Sequence, residues 1–226
     1  MITPYDWQEG IGNRAQYIEG KLKLGSPVLA VSIEAGIVAF TMRRQTRKIF
    51  EVYDRLLFSA VGQQSDVEAI RSAAVEFAHQ EGYNRSEQDV TIQRVVTALS
   101  ASVKKAFSDF STAPLVARSL FAEVAEHPDK DLFYDLDYDG DYSISNRFGL
   151  AIGNRELTET VSAEIEKIPL ESTPEEAVQN LKSIWRQAIS TEDEPLDDLI
   201  KDLVPEAMLL ERSNAREDRF RLLTVS

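Results

Sequence analysis

Strand-like and helix-like runs are segregated along this sequence, and that order restricts the fold more than any single motif does. Pro27–Ile33 and Ile37–Met42 are β-branched-rich runs either side of Glu34-Ala35-Gly36, a hairpin signal with glycine at the turn. Lys48–Tyr53 and Leu56–Val61 follow as strands around Asp54-Arg55. The pattern then changes period. Asp66–Gln80 reads as a helix with Val67, Ile70, Ala74 and Phe77 on one face, Ser65 or Asp66 as its cap, and Gly82 as its stop. Ser86–Asp109 reads as a second helix, with a capping-type start at Ser86-Glu87-Gln88-Asp89 and a stripe of Ile92, Val96, Leu99, Val103 and Phe107.

Strands resume at Arg118–Glu126 and Asp131–Asp137, then Tyr142–Ser145 and Phe148–Ile152 after the tight-turn pair Asp139-Gly140. Two more helices, Arg155–Ile168 and Thr173–Ile189, precede closing strands at Met208–Glu211 and Phe220–Val225. Thr173-Pro174-Glu175-Glu176 is a cap with proline at the first helical position, and Ala177, Leu181, Ile184 and Ala188 form an inner face. Runs grouped in this way argue for α+β layering over alternating βαβ units. Two antiparallel sheets between two helix layers, a four-layer α/β/β/α sandwich, would bury all four amphipathic helices.

Composition removes several classes of function. The 226 residues contain no cysteine, which excludes disulfide scaffolds, thiolate zinc sites and cysteine catalysis. Only His79 and His127 are present, so multi-histidine metal sites are excluded too, and no metal or cofactor is expected. A net charge of −13 argues against a nucleic-acid partner. The start MITPYDWQEG does not read as a signal peptide, and the longest apolar stretches, such as Ala35–Phe40, are far short of a bilayer span. The expectation is a cytoplasmic protein with no membrane contact.

Three units are expected. Residues 1–25 are polar and glycine-punctuated, ending in a short helix, Ala15–Leu22. A helix so short needs packing against a neighbour, with Tyr17, Ile18 and Leu22 buried there. Residues 26–190 form the sandwich. Residues 191–226 comprise a linker, 191–206, with seven acids and one base, and the closing strand pair. Asp135-Leu136-Asp137-Tyr138-Asp139-Gly140-Asp141 resembles the opening of a calcium loop, but Asn146 stands at the twelfth position where a bidentate Glu is needed. A hairpin is the better reading, although five acids, Asp131 to Asp141, lie close together.

The segment Leu24–Tyr83 resembles a 20S proteasome subunit, in the N-terminal-nucleophile hydrolase superfamily, and is most similar to the actinobacterial α-type subunit. The residues that carry the resemblance are Gly36-Ile37-Val38, Arg47-Lys48-Ile49-Phe50-Glu51-Val52-Tyr53-Asp54-Arg55-Leu56 and Phe58-Ser59-Ala60-Val61-Gly62. Thr3-Pro4-Tyr5, Leu210-Glu211-Arg212-Ser213 and Arg219-Phe220-Arg221 extend it towards both ends. The family fold is the four-layer sandwich.

The resemblance implies a mechanism to test. Catalytic members use an N-terminal Thr or Ser whose own α-amine removes the hydroxyl proton. Ser26 falls on the nucleophile, Gly25 precedes it as a self-cleavage site would require, Lys48 falls on the tuning lysine and Gly62 on the oxyanion glycine. Against activity, Met42 replaces the acid that holds the lysine, Pro27 restricts the processing site, and the turn from Thr41 to Lys48 is short. The resemblance thus implies a subunit with no catalytic residues, in a homo-oligomeric ring, a heptamer, that templates a ring of β-type subunits, docks an ATPase activator ring and admits unfolded protein substrates. Lys48, helped by Arg47, would bind the activator's tail carboxylate. Ile2, Thr3, Pro4, Tyr5, Asp6, Trp7, Gln8 and Glu9 would form the gate. The alternatives are a self-standing hydrolase cut at Gly25–Ser26, and a ring that binds partners without a protease attached.

Overall fold

The computed structural model describes residues 4–190, 200–213 and 218–225. The elements run α1 (Pro4–Leu22), β1 (Val28–Ile33), β2 (Gly36–Arg43), β3 (Ile49–Tyr53), β4 (Leu56–Gly62), α2 (Gln64–Asn84), α3 (Ile92–Ser108), β5 (Ala117–Glu123), β6 (Leu132–Leu136), β7 (Tyr142–Ser145), β8 (Phe148–Ala151), α4 (Thr158–Ile165), α5 (Pro174–Ile189), β9 (Val204–Glu211) and β10 (Phe220–Leu223). One five-stranded sheet has the order β10-β9-β2-β1-β8, and the other β3-β4-β5-β6-β7. Every neighbouring pair is antiparallel. This is the expected α+β sandwich.

Side-chain alternation sets the layers. Val28, Ala30, Ile37 and Ala39 face the second sheet, where Leu57, Val61, Leu120, Ala122 and Phe133 meet them. The intervening Leu29, Val31, Val38 and Phe40 pack beneath α4 and α5, against Val161, Leu181 and Trp185. Phe58, Phe121 and Leu136 turn outward to α2 and α3, against Ile70, Val96 and Leu99. β1, β2, β4 and β5 are therefore buried on both faces, which explains why they read as continuous apolar runs, while the edge strand β7 is exposed.

Several boundaries differ from expectation. The helix α2 runs on through Gly82, which is glycine for closeness: a Cβ there would meet the Tyr53 hydroxyl at 2.4 Å. Neither Ser65 nor Asp66 caps α2; the Asp66 carboxylate accepts the Val116 amide at 2.8 Å. Phe77 is only half-buried and Ala78 takes its place in the stripe. The second helix, α3, begins at Ile92; Glu87–Asp89 is a 3-10 turn in which Ser86 Oγ donates to the Asp89 carboxylate at 2.9 Å. Glu123 of β5 accepts the Ile92 amide at 2.9 Å and does the capping. Likewise Arg155–Leu157 is a 3-10 turn ahead of α4. The cap of α5 matches expectation: Thr173 and Glu176 form a reciprocal capping box.

The largest departure is α1, which starts at Pro4 and not at Ala15. Its glycines are tolerated because other elements hold it. Trp7 meets the Phe110 ring edge-on at 4.9 Å. Arg14 donates to the carbonyls of Phe107 and Asp109, both at 2.8 Å, and to that of Thr112, satisfying the open C-terminal end of α3. Ile18 and Leu22 are fully buried, inside this chain's own inter-sheet core, while Tyr17 is half exposed. The closing strands also belong to the body: β9 pairs with β2 along its length, from Gly36↔Glu211 to Arg43↔Val204. Residues 191–199 of the expected linker lie outside the described residues, and residues 204–206 are strand.

One end of the inter-sheet gap is closed by a buried ion pair. The Asp131 carboxylate, fully buried, accepts Arg212 Nη1 at 2.7 Å and Nη2 at 2.9 Å, Ser32 Oγ at 2.6 Å and the Ala125 amide at 2.8 Å. Arg212 also donates to the carbonyls of Ile33 and Ala125, at 2.9 and 2.7 Å. It thereby joins the sheet of β1 and β9 to the β5–β6 connection. Arg212→Ala leaves the buried carboxylate unpaired and is expected to cost about 3–5 kcal/mol in urea unfolding. A loss below about 1 kcal/mol would show that the pair does not hold the two sheets.

Candidate functional site

The residues expected to act lie where α1 enters β1. The Gly25 amide donates to the Leu22 carbonyl at 2.8 Å, turning the chain back against the end of β4. A Cβ at Gly25 would meet Val61 Cγ1 at 2.2 Å, so this turn passes beside Gly62. Gly62 has φ +155°, and a Cβ there would meet the Val116 carbonyl at 2.1 Å; the close pairing with β5 accounts for the glycine.

Ser26 and Lys48 are brought together through the serine's main chain. Ser26 Oγ donates to the Met42 carbonyl at 2.5 Å. The Lys48 ammonium donates to the Ser26 carbonyl oxygen, not to the hydroxyl. The adjacent Pro27 carbonyl accepts Thr41 Oγ1 at 2.7 Å and Trp185 Nε1 at 2.9 Å. Three donors thus fix two successive carbonyls of an unbroken chain.

The acid beside Lys48 is Glu206. The Met42 side chain lies in the outer core beneath α5. Glu206 pairs with Thr41 across β2 and β9 and is buried. Its Oε2 accepts the Lys48 backbone N–H at 2.9 Å, and Arg43 and Arg47 each place Nε at 3.4 Å from one of its oxygens. Sequence reasoning put Glu206 in the linker. The available signal was alternation: Glu206 is in step with Met208 and Leu210, both of which face the gap. One carboxylate therefore pairs with two arginines and a main-chain N–H, and Arg44 has no ion pair among the described residues. Burial brings the Lys48 pKa down to about 8, and the negative charge of Glu206 opposes that fall. At neutral pH Lys48 is mainly charged, and it has ammonium protons beyond the one given to Ser26. The arrangement suits holding an anion.

The acidic segment is a hairpin: β6 pairs with β7 across Asp137–Asp141, and the Gly140 amide donates to the Asp137 carbonyl at 3.0 Å. Asp135, Asp137 and Asp139 are engaged. Asp137 pairs with Arg118 at 3.2 Å and with Arg155, and Asp139 accepts the Asp141 amide at 3.0 Å. Arg118 also holds Glu19 of α1 at 2.9 Å. Among the described residues no cluster of His, Asp and Glu is arranged to hold a metal ion. Asp135 lines a cleft of about 530 Å³ with Arg118, Leu150, Ile152 and Arg155, and reaches across the sheets to accept the Leu150 amide at 3.2 Å.

Of the expected gate residues, Ile2 and Thr3 lie outside the described residues, and Pro4–Glu9 are the first turns of α1. Tyr5 is 82% exposed. Among the described residues no helix is long and apolar enough to cross a membrane.

Comparison with known proteins finds that the Proteasome family, described as Proteasome subunit, matches residues 25–195. The chain is 34% identical to Proteasome subunit alpha of Thermobifida fusca over 143 residues, 62% of this chain and 57% of that protein. It is 31% identical to Proteasome subunit alpha of Acidothermus cellulolyticus over 179 residues, covering 77% of this chain and 75% of the relative. The match to Proteasome subunit alpha of Jonesia denitrificans is 30% over 225 residues, 96% of this chain and 90% of the relative.

Burial pushes the Asp135 pKa up to about 7, helped by Asp137 and opposed by the Leu150 amide and Arg118. The folded value lies above the unfolded one, about 4. The cost of the ionised group is therefore full above pH 7 and fades as pH falls towards the unfolded value. Asp135→Asn is expected to raise the unfolding midpoint at about pH 8, and the gain should vanish near pH 4. Thermal unfolding at both pH values checks this; an equal gain at both would contradict it.

Proposed function

This chain belongs to the proteasome subunit family, and from that membership we propose that it works as a non-catalytic α-type subunit. It assembles head to tail into a closed ring, a heptamer. The ring templates a β-type ring that carries out hydrolysis, gates the passage of unfolded protein substrates, and docks an ATPase ring. The compartment is the cytoplasm.

One observation carries the non-catalytic reading: residues that an active chain would discard are core. Ile18 and Leu22 fill the inter-sheet space, and Gly25 is packed on Val61. Cleavage after Gly25 would release a helix whose two core side chains stabilise the fold by about 1.5–3 kcal/mol each. Without cleavage Ser26 has no free amine, and its hydroxyl is already donated to Met42.

The activator reading is supported by the charge surplus. A tail carboxylate placed against Lys48 and Arg47 gains charge-assisted hydrogen bonds worth about 1.5–3 kcal/mol. The gate, residues 2–9, then consists of the terminal residues and the first turns of α1, clustered at the axis by assembly.

Two measurements test this. Lys48→Ala should lower ATPase-stimulated degradation at least about tenfold, while ring assembly and peptide cleavage by the β partner persist. Undiminished stimulation removes the anchor role. Intact mass of the purified chain should retain residues 1–25; their loss, with sequencing that begins at Ser26, supports the self-processed hydrolase instead.

A further inference from the structure

Glu206 is a puzzle for a site meant to receive a carboxylate. A buried acid already occupies the ground between Arg43, Arg47 and Lys48, and the simplest expectation is that it competes with an incoming anion. The geometry points the other way. Glu206 does not touch the Lys48 ammonium in any hydrogen bond of this structure; it accepts the Lys48 main-chain N–H at 2.9 Å and approaches the Ile49 N–H at 3.5 Å. Its other neighbours are the Nε atoms of Arg43 and Arg47, 3.4 Å away on the inner side of each guanidinium. The acid thus grips the backbone at the start of β3 and the inner edges of two arginines. The Lys48 side chain runs separately to the Ser26 carbonyl, with ammonium protons to spare.

We propose that Glu206 is a positioning residue of the anion socket: it fixes the Arg47–Lys48 backbone, so that a tail carboxylate binds beside it and not in its place. This inference rests on the activator-tail reading of Lys48. The charged groups gathered about Glu206 come from three elements: Glu206 itself from β9, Arg43 from β2 and Arg47 from the β2–β3 turn. Among the described residues Glu206 is the acid that offsets burial, which brings the lysine's pKa down to about 8. Removing Glu206 should make the lysine release its proton earlier. The outcome is counterintuitive: deleting a negative charge should weaken the binding of a negative ligand.

The test uses the assembled full-length protein and two labelled synthetic peptides, identical except that one has a free C-terminal carboxylate and the other an amide. The parent protein is expected to prefer the carboxylate peptide about tenfold, a preference that starts to fall at about pH 8. No preference in the parent removes the socket itself, and this inference with it. Given a preference in the parent, Glu206→Gln should reduce it near neutrality, with the fall starting at lower pH, while binding of the amide peptide stays unchanged. Glu206→Asp should keep the preference, with its onset between the two. A Glu206→Gln protein that binds the carboxylate peptide as well as or better than the parent, with the parent's pH profile, overturns the proposal and identifies Glu206 as a competitor. If Glu206→Gln does not assemble, Glu206→Asp decides: an onset identical to the parent's overturns the proposal.

Discussion

The last two turns of α1 lie across one end of the inter-sheet gap and send Ile18 and Leu22 into it, and the arrangement around Ser26 depends on them. Ile18 and Leu22 contribute apolar surface to a gap that two five-stranded sheets alone leave open at this end. Only five residues separate Leu22 from Val28 of β1, so a fixed helix end dictates the path of the connection. Gly25 must pass Val61, the Ser26 carbonyl faces Lys48, and the Pro27 carbonyl meets Thr41 and Trp185. The Lys48 ammonium is given a main-chain oxygen as its partner. Packing of two aliphatic residues thereby decides what chemistry the neighbouring polar groups can perform.

Charge inside the sandwich is placed with the same economy. Asp131 with Arg212 closes one end of the gap, and Arg118 with Glu19 and Asp137 closes part of the other. Asp131 and Asp137 each have several donors, as the cost of desolvation demands, whereas Asp135 has the Leu150 amide alone. Such pairs add little net stability over apolar residues of the same size, but misregistered strands would leave them bare. They therefore select one alignment of the sheets. Glu206 differs in being shared among cations that outnumber it, and the surplus positive charge lies at the surface next to a rigid strand.

Much of this was legible in the residues. The order of apolar periods gave the layers, and Thr173-Pro174-Glu175-Glu176 marked the start of α5 because its capping is wholly local. What escaped was set by contacts distant in sequence. Gly82 looks like a stop because glycine favours helix ends; here it only makes room for Tyr53. Ser86 looks like the cap of α3, but Glu123 supplies that function from a strand. The first turns of α1, poor in helix-forming residues, depend on Phe110 and on the Arg14 contacts with α3. At the site, Ser26 and Lys48 were found by their resemblance to a known pattern. Glu206 was hidden because its neighbours upstream are acidic and polar, and only its phase with Met208 and Leu210 betrays that it points inward.

Arg14 sits near the middle of a helix of 19 residues, about 28 Å long at the usual rise. With its guanidinium fastened to the end of α3 and Leu22 locked in the core, α1 is pinned at mid-span and at its carboxyl end. Two anchors on one rod leave it no pivot, so the helix works as a spacer that holds the exposed Tyr5 about 25 Å from Leu22.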